Sequence, residues 1–171
     1  MTIYYKRRFQ IVECLLILHF NTKIMPKTIK KIGVLTSGGD SPGMNAAIRS
    51  VVRTCAYHNI QCVGIYRGYQ GMIEGDFKEM GPRSVHNTVN KGGTILKSAR
   101  SKEFMTAEGR KKAHEKLLKA EIDAFVVIGG DGSFTGAEIF NKEFKFPVMG
   151  IPGTIDNDIF GTCLLYTSDA A

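Results

Sequence analysis

Three short segments carry groups suited to chemistry on phosphate: Thr36–Gly43 (TSGGDSPG), Gly129–Ser133 (GGDGS) and Pro152–Asp158 (PGTIDND). In the first, Gly38 and Gly39 leave main-chain N–H groups unshielded, so that they can face phosphate oxygens, and a helix beginning just after them adds its partial positive charge. A plain tight turn is the other reading of paired glycines. In the second, Asp131 among glycines can reach a metal ion such as Mg²⁺ while the backbone stays close to phosphates. It equally suits the N-cap of a helix. In the third, Asp156 and Asp158 fall on one side of an extended segment, with Thr154 two residues before the first carboxylate. One carboxylate can accept the proton of an attacking hydroxyl while a hydroxyl or N–H steadies the group in transfer. An Asx-rich turn is the alternative. Neither the P-loop pattern nor the dinucleotide-binding glycine pattern is present.

The elements that must hold these loops are legible around them. Residues 30–36 (KKIGVLT) form a short apolar run that predicts a buried strand feeding the first loop. Met44, Ala47, Ile48, Val51, Val52 and Cys55 then recur at three- and four-residue spacing, while Arg49, Ser50 and Arg53 fall elsewhere, which predicts an amphipathic helix. Residues 61–66 (QCVGIY) predict a second strand. The glycine-dense stretch RGYQGMIEGD predicts a loop or short irregular helix, and residues 84–90 a short helix ended by Lys91-Gly92-Gly93. Thr106 caps a helix running to about Ala120, with Glu108 in its first turn and lysines in its last. Residues 123–128 (DAFVVI) predict a strand buried on both faces, residues 133–141 a helix, and residues 146–151 (FPVMGI) a further strand.

Apolar strands separated by helices imply an α/β fold: a parallel sheet with helices on both faces, a Rossmann-like three-layer arrangement. In such sheets ligands sit beyond the carboxyl ends of the strands, where all three loops lie.

Composition narrows the function classes. A chain of 171 residues with 43% hydrophobic content holds one domain. The formal charge is +7, of which Lys6, Arg7, Arg8 and Lys23 against Glu13 supply +3 before Met25. The remaining surplus suits a phosphorylated small molecule or a solvated surface. No basic stripe interleaved with aromatics is present and there is no Trp, so nucleic acid is not implied. Cys14, Cys55, Cys62 and Cys163 form no CxxC pair and read as reduced or packed thiols. Residues 9–20 (FQIVECLLILHF) after KRR mimic a signal peptide, but Glu13 interrupts them, no A-x-A site follows, and the run is shorter than the roughly 20 residues a membrane span needs. The expectation is that residues 1–24 are a non-native or disordered extension and that Met25 is the natural start, with a secretion signal as the alternative.

In series, KIGVLTSGGDSPGMNAAIR, GIYRGYQG, GGTILKSAR, VVIGGDGS and GIPGTIDNDIFGT resemble the bacterial-type, ATP-dependent 6-phosphofructokinase family, in order and approximate spacing over residues 30–162. The resemblance implies phosphoryl transfer from ATP to the 1-hydroxyl of fructose 6-phosphate, a step of glycolysis that yields fructose 1,6-bisphosphate and ADP. It further implies a cytoplasmic homo-oligomer, a tetramer, with Mg²⁺ at the nucleotide. By the same resemblance Gly39 contacts the ATP phosphates, Tyr69 walls the nucleotide site and Arg100 grips phosphate. Ser101 follows Arg100 where the family often has an aromatic residue. Gly130, Asp131, Gly132 and Ser133 hold the nucleotide, with Asp131 toward the metal. Asp156 is implied as the general base, assisted by Thr154 and Asp158, and Thr154, Ile155 and Asp156 contact the sugar phosphate. Gly132 and Gly153 stand where pyrophosphate-using relatives carry Asp and Lys, which implies ATP as donor. Arg49 and Arg53 resemble effector-site arginines, although Pro82 replaces a further arginine and a solvated helix face suits both equally. After Thr162 the tail CLLYTSDAA (residues 163–171) departs from the family pattern, so the expectation is a nucleotide-binding domain over residues 25–162. Such a domain is incomplete and inactive alone. Other kinases with a GGDG loop are the remaining alternative, against which TIDND speaks.

Overall fold

The structure, a computed structural model, describes residues 29–155 and Ile159. The expectations for residues 1–24, for Asp156 and Asp158, for Cys14 and Cys163 and for the 163–171 tail lie outside the described residues.

One sheet organises the described residues, with strands β1 (Lys31–Thr36), β2 (Gln61–Ile65), β3 (Phe77–Glu79), β4 (Ala124–Gly129) and β5 (Val148–Pro152). Its spatial order is β3-β2-β1-β4-β5. β1 lies parallel to both β2 and β4, and β4 parallel to β5. Helices α1 (Met44–Tyr57), α2 (Gly68–Glu74), α3 (Ala107–Lys119) and α4 (Asp131–Phe144) connect them, with a 3-10 turn over Glu103–Met105.

The two faces of the sheet bury separate cores, as a three-layer α/β fold requires. On one, Leu35, Ile65, Phe125 and Val127 pack against Met72, Leu117, Ala137 and Phe140 from α2, α3 and α4. On the other, Val34, Val126 and Ile128 pack against Met44, Ile48, Val52 and Cys55 of α1, together with Met80, Val85 and Leu96. Each fully buried aliphatic or aromatic side chain contributes roughly 1.5–3 kcal/mol relative to exposure. The six residues of β4 are all buried, which explains their unbroken apolar run. Among the described residues no helix is long and apolar enough to cross a membrane.

Three local expectations are corrected. Residues 84–90 form turns and no helix: Ser84 N donates to Gly81 O, His86 N to Arg83 O, and Asn87 adopts φ 53°, which breaks a right-handed helix. The glycine-dense stretch does contain the short helix α2, ended by Gly75 in the left-handed region, but is followed by β3, which runs antiparallel to β2 and makes the sheet mixed. β5 is a half-covered edge, with Met149 55% exposed.

Candidate active site

Strand order reverses between β1 and β4: the chain leaves β1 toward β2 and β3 on one side and returns to β4 and β5 on the other. At such a switch point the two exit loops diverge and leave a crevice. A cavity of about 810 Å³ occupies it, lined by Ser37, Gly38 and Gly39 after β1, by the first turn of α4 after β4, and by Gly153, Thr154 and Ile155 after β5. The three loops singled out by composition therefore meet in one place.

Local rules explain why each loop sits there. Ser37 N donates to Ile128 O, carrying the β1–β4 ladder one step past the strand, and Gly38 then turns away at φ 90°. A Cβ on Gly39 would meet nothing within 4 Å, so its backbone lies open. Gly129, the last residue of β4, is enclosed: a Cβ there would stand 2.5 Å from Ser37 O and 2.7 Å from Ser133 Oγ. Gly153 N donates to Gly129 O at 3.0 Å, which seats the third loop beside the second.

Helix α4 points its N-terminus at the cavity. Gly130 takes the N-cap position and Asp131 is the first helical residue, so the N-cap reading of Asp131 is corrected. A carboxylate in a first turn is favoured by the helix dipole, and the same dipole favours a bound anion. Gly132 presents open space where a Cβ would be, and buried Ser133 closes the turn.

Tyr69 buttresses this turn from α2: its hydroxyl donates to Ser133 O at 2.6 Å, and its ring stacks on Phe104 at 4.0 Å between centroids. Burial pushes the Tyr69 phenol up from its ordinary pKa, keeping it a neutral donor. Ser101 Oγ donates to Gln70 Oε1 and accepts from Phe104 N, so it ties the 3-10 turn to α2. Arg100 is exposed and lines the cavity.

Every described site residue named from the sequence except Arg49 and Arg53 thus lines this cavity. The two arginines lie on α1, outside it; Arg49 Nη1 donates to Val85 O at 2.8 Å and Arg53 is exposed. Sequence reasoning missed the apolar wall made by Phe104, Met105 and Ile139, and it missed Arg110. One signal was available: Ile139 stands off the buried stripe of α4 formed by Ser133, Ala137 and Phe140. Among the described residues no group of three or more His, Cys, Asp or Glu side chains is placed to hold a metal ion.

The family model for phosphofructokinase matches residues 31–171. The chain is 60% identical over 143 residues to an ATP-dependent 6-phosphofructokinase of Halothermothrix orenii, covering 84% of this chain and 43% of that protein. It is 58% identical over 135 residues to ATP-dependent 6-phosphofructokinase 2 of Bacteroides thetaiotaomicron, covering 79% of this chain and 41% of that protein. The fold is similar to phosphofructokinase from Saccharomyces cerevisiae, with a TM-score of 0.75 and 41% identity over 78% of this chain and 21% of the yeast chain. The chain therefore spans about two-fifths of the length of these curated relatives. With a family match running from β1 onward and identities this high, the chain belongs to the phosphofructokinase family.

Proposed function

We propose that this chain supplies the nucleotide side of an ATP-dependent 6-phosphofructokinase, which moves the γ-phosphate of ATP to the 1-hydroxyl of fructose 6-phosphate and releases ADP. The observation that carries this reading is the meeting of three glycine-and-carboxylate loops in one cavity at the switch point of the sheet. Open backbone at Gly39 and the N-terminus of α4 give phosphate oxygens N–H groups and positive potential. Arg100 adds a charged fork suited to phosphate. The apolar wall of Phe104, Met105 and Ile139 suits a flat base.

Gly132 and Gly153 favour ATP over pyrophosphate. A carboxylate at 132 would project into the open space beside α4 and repel the α-phosphate. A side chain at 153 would begin 3.1 Å from Ile128 Cγ2 and displace it. Asp131 fits Mg²⁺ that arrives with the nucleotide, because this ion keeps several waters and needs only one or two protein carboxylates beside phosphate oxygens. When bound, the ion neutralises charge on the transferring phosphate. Asp156 takes the proton of the sugar hydroxyl, and Thr154 and Asp158 steady the group in transfer. The whole enzyme is a cytoplasmic homo-oligomer, a tetramer, in this reading, and Arg49 and Arg53 belong to an effector site on α1.

Calorimetric titration of the 171-residue chain with ATP and Mg²⁺, and separately with pyrophosphate, tests the donor side. Binding of ATP is expected and preferential binding of pyrophosphate overturns the assignment. Alone, the chain is expected to bind without turning over, since phosphoryl transfer depends on positioning both substrates. In a chimera that takes the rest of its length from the Halothermothrix orenii relative, Asp156→Ala should lower kcat by roughly 10²- to 10⁴-fold. A loss below about tenfold would remove Asp156 as the base. Gly132→Asp in the same chimera should weaken use of ATP selectively.

A further inference from the structure

Arg110, on the first turns of α3, is the most heavily engaged cation of the cavity lining. Its Nε and Nη2 donate to the two carboxylate oxygens of Glu143 at 2.7 and 2.6 Å, a bidentate pair that joins α3 to the last turn of α4. Its Nη1 donates to Phe104 O at 3.2 Å and Met105 O at 2.7 Å. These are carbonyls of the 3-10 turn that presents the apolar wall. The Arg110 side chain is 11% exposed and that of Glu143 33%, and Glu143 does not line the cavity. The turn leans on α3 at one more point: a Cβ on Gly109 would fall 2.0 Å from Glu103 O, so the backbones touch there.

A guanidinium has five N–H donors in a fixed plane. Here its charge is met by a carboxylate and its donors are directed to that carboxylate and to the turn, which is the geometry of a brace and not of a phosphate ligand. Met105 is 80% exposed, so its own packing does little to hold it in place, whereas Phe104 is fixed by stacking on Tyr69.

We infer that the Arg110–Glu143 pair is a positioning clamp that holds the Phe104–Met105 turn against the donor cavity and thereby sets affinity for the base of the nucleotide. This inference rests on the reading of the cavity as a nucleotide site. Both residues are positioning residues, since they act through the turn.

Titration calorimetry of the 171-residue chain separates base from phosphate when ATP is compared with inorganic tripolyphosphate, which has the phosphates and no base. Arg110→Lys keeps the charge and loses the fork. Glu143→Gln alters a residue outside the cavity. Both should weaken ATP by roughly 3- to 30-fold, the scale of one or two ordinary hydrogen bonds, and leave tripolyphosphate unchanged. Glu138→Gln, which breaks the exposed Glu138–Lys142 pair on the same helix, should leave both ligands unchanged. If Arg110→Lys weakens both ligands while Glu143→Gln weakens neither, Arg110 is a direct phosphate ligand and the clamp is wrong. Unchanged ATP affinity in both variants overturns it as well. Should Arg110→Lys unfold, Glu143→Gln decides, because it leaves the Arg110 side chain in place and removes only the carboxylate that fixes its orientation. Failure of the unaltered chain to bind ATP removes the nucleotide reading itself, and the clamp with it.

Discussion

Gly129 shows how tightly a single position can constrain the site. It is wedged between the backbone leaving β1 and the first turn of α4, with Ser37 O and Ser133 Oγ both inside the reach of a methyl group. Gly129→Ala must therefore push the first two loops apart, since one of the two obstacles is backbone. We expect a loss of roughly 1–3 kcal/mol, the usual range for overpacking, and a matching loss of ATP affinity, measured by chemical denaturation and calorimetry. Ser41 presents the opposite case. It is 6% exposed, and its Oγ, beside Gly153, has no hydrogen-bond partner among the described residues. A buried hydroxyl without a partner costs about 1–3 kcal/mol, so Ser41→Ala is expected to leave stability unchanged or raise it. A clear drop in the denaturation midpoint would reveal a partner for this hydroxyl. The glycines and carboxylates of the loops are legible in sequence because their types are unusual beside buried strands. Phe104 and Met105 are not, because the partners of their turn lie elsewhere in the chain: Phe104 stacks on Tyr69, and Arg110, which bonds to both carbonyls, is itself paired with Glu143, 33 residues further along.

At the scale of elements, legibility follows how much of the determinant is local. Helix α3 is readable from its ends: Thr106 Oγ1 accepts from Gly109 N at 3.1 Å, Glu108 sits in the first turn and Lys116 and Lys119 in the last. Thr106→Ala should cost about 1 kcal/mol, the common effect of losing such a cap, and thermal unfolding would register it. The same substitution removes the bond from Thr106 Oγ1 to Glu103 O, so the 3-10 turn should loosen with the helix. Strand β4 is readable because both of its faces are covered. By contrast β3 has three residues, two of them charged and exposed, and no periodic pattern distinguishes it from a loop. What creates it is pairing with β2, through Val63 opposite Glu79 and Ile65 opposite Phe77. The turns over residues 84–90 mislead for a related reason. Val85 and Thr88 are buried, a spacing that imitates a helix, yet Thr88 Oγ1 donates to Val85 O and Asn87 leaves the helical region.

Across the whole molecule the two cores are unequal in how they are closed. Cys55 and Cys62 are free thiols buried together between α1 and β2, where their mutual hydrogen bond and burial push the Cys62 thiol up from its ordinary pKa. This side of the sheet is built mainly from neighbours in sequence, β1, α1 and β2, with Val126 and Ile128 of β4 completing it. The β1–β4 seam is not: Lys31 N reaches Asp123 Oδ2 across 92 residues, and the register continues from Ile32 opposite Ala124 to Thr36 opposite Ile128. That pairing also draws the loops after β1 and β4 together. Contacts so distant in sequence carry a larger loop-closure cost and form late in folding. The cavity straddles this seam, so a chain can pack α1 against β1 and β2 and still lack the proposed place for ATP. With Cys14 and Cys163 replaced by Ser, alkylating pulses during refolding from urea should find Cys55 and Cys62 protected before ATP binding returns. Simultaneous recovery would mean that the sheet forms in one step. On the expected order, ATP, the donor proposed above, captures only chains whose seam has closed, and its binding becomes a sensor of finished folding.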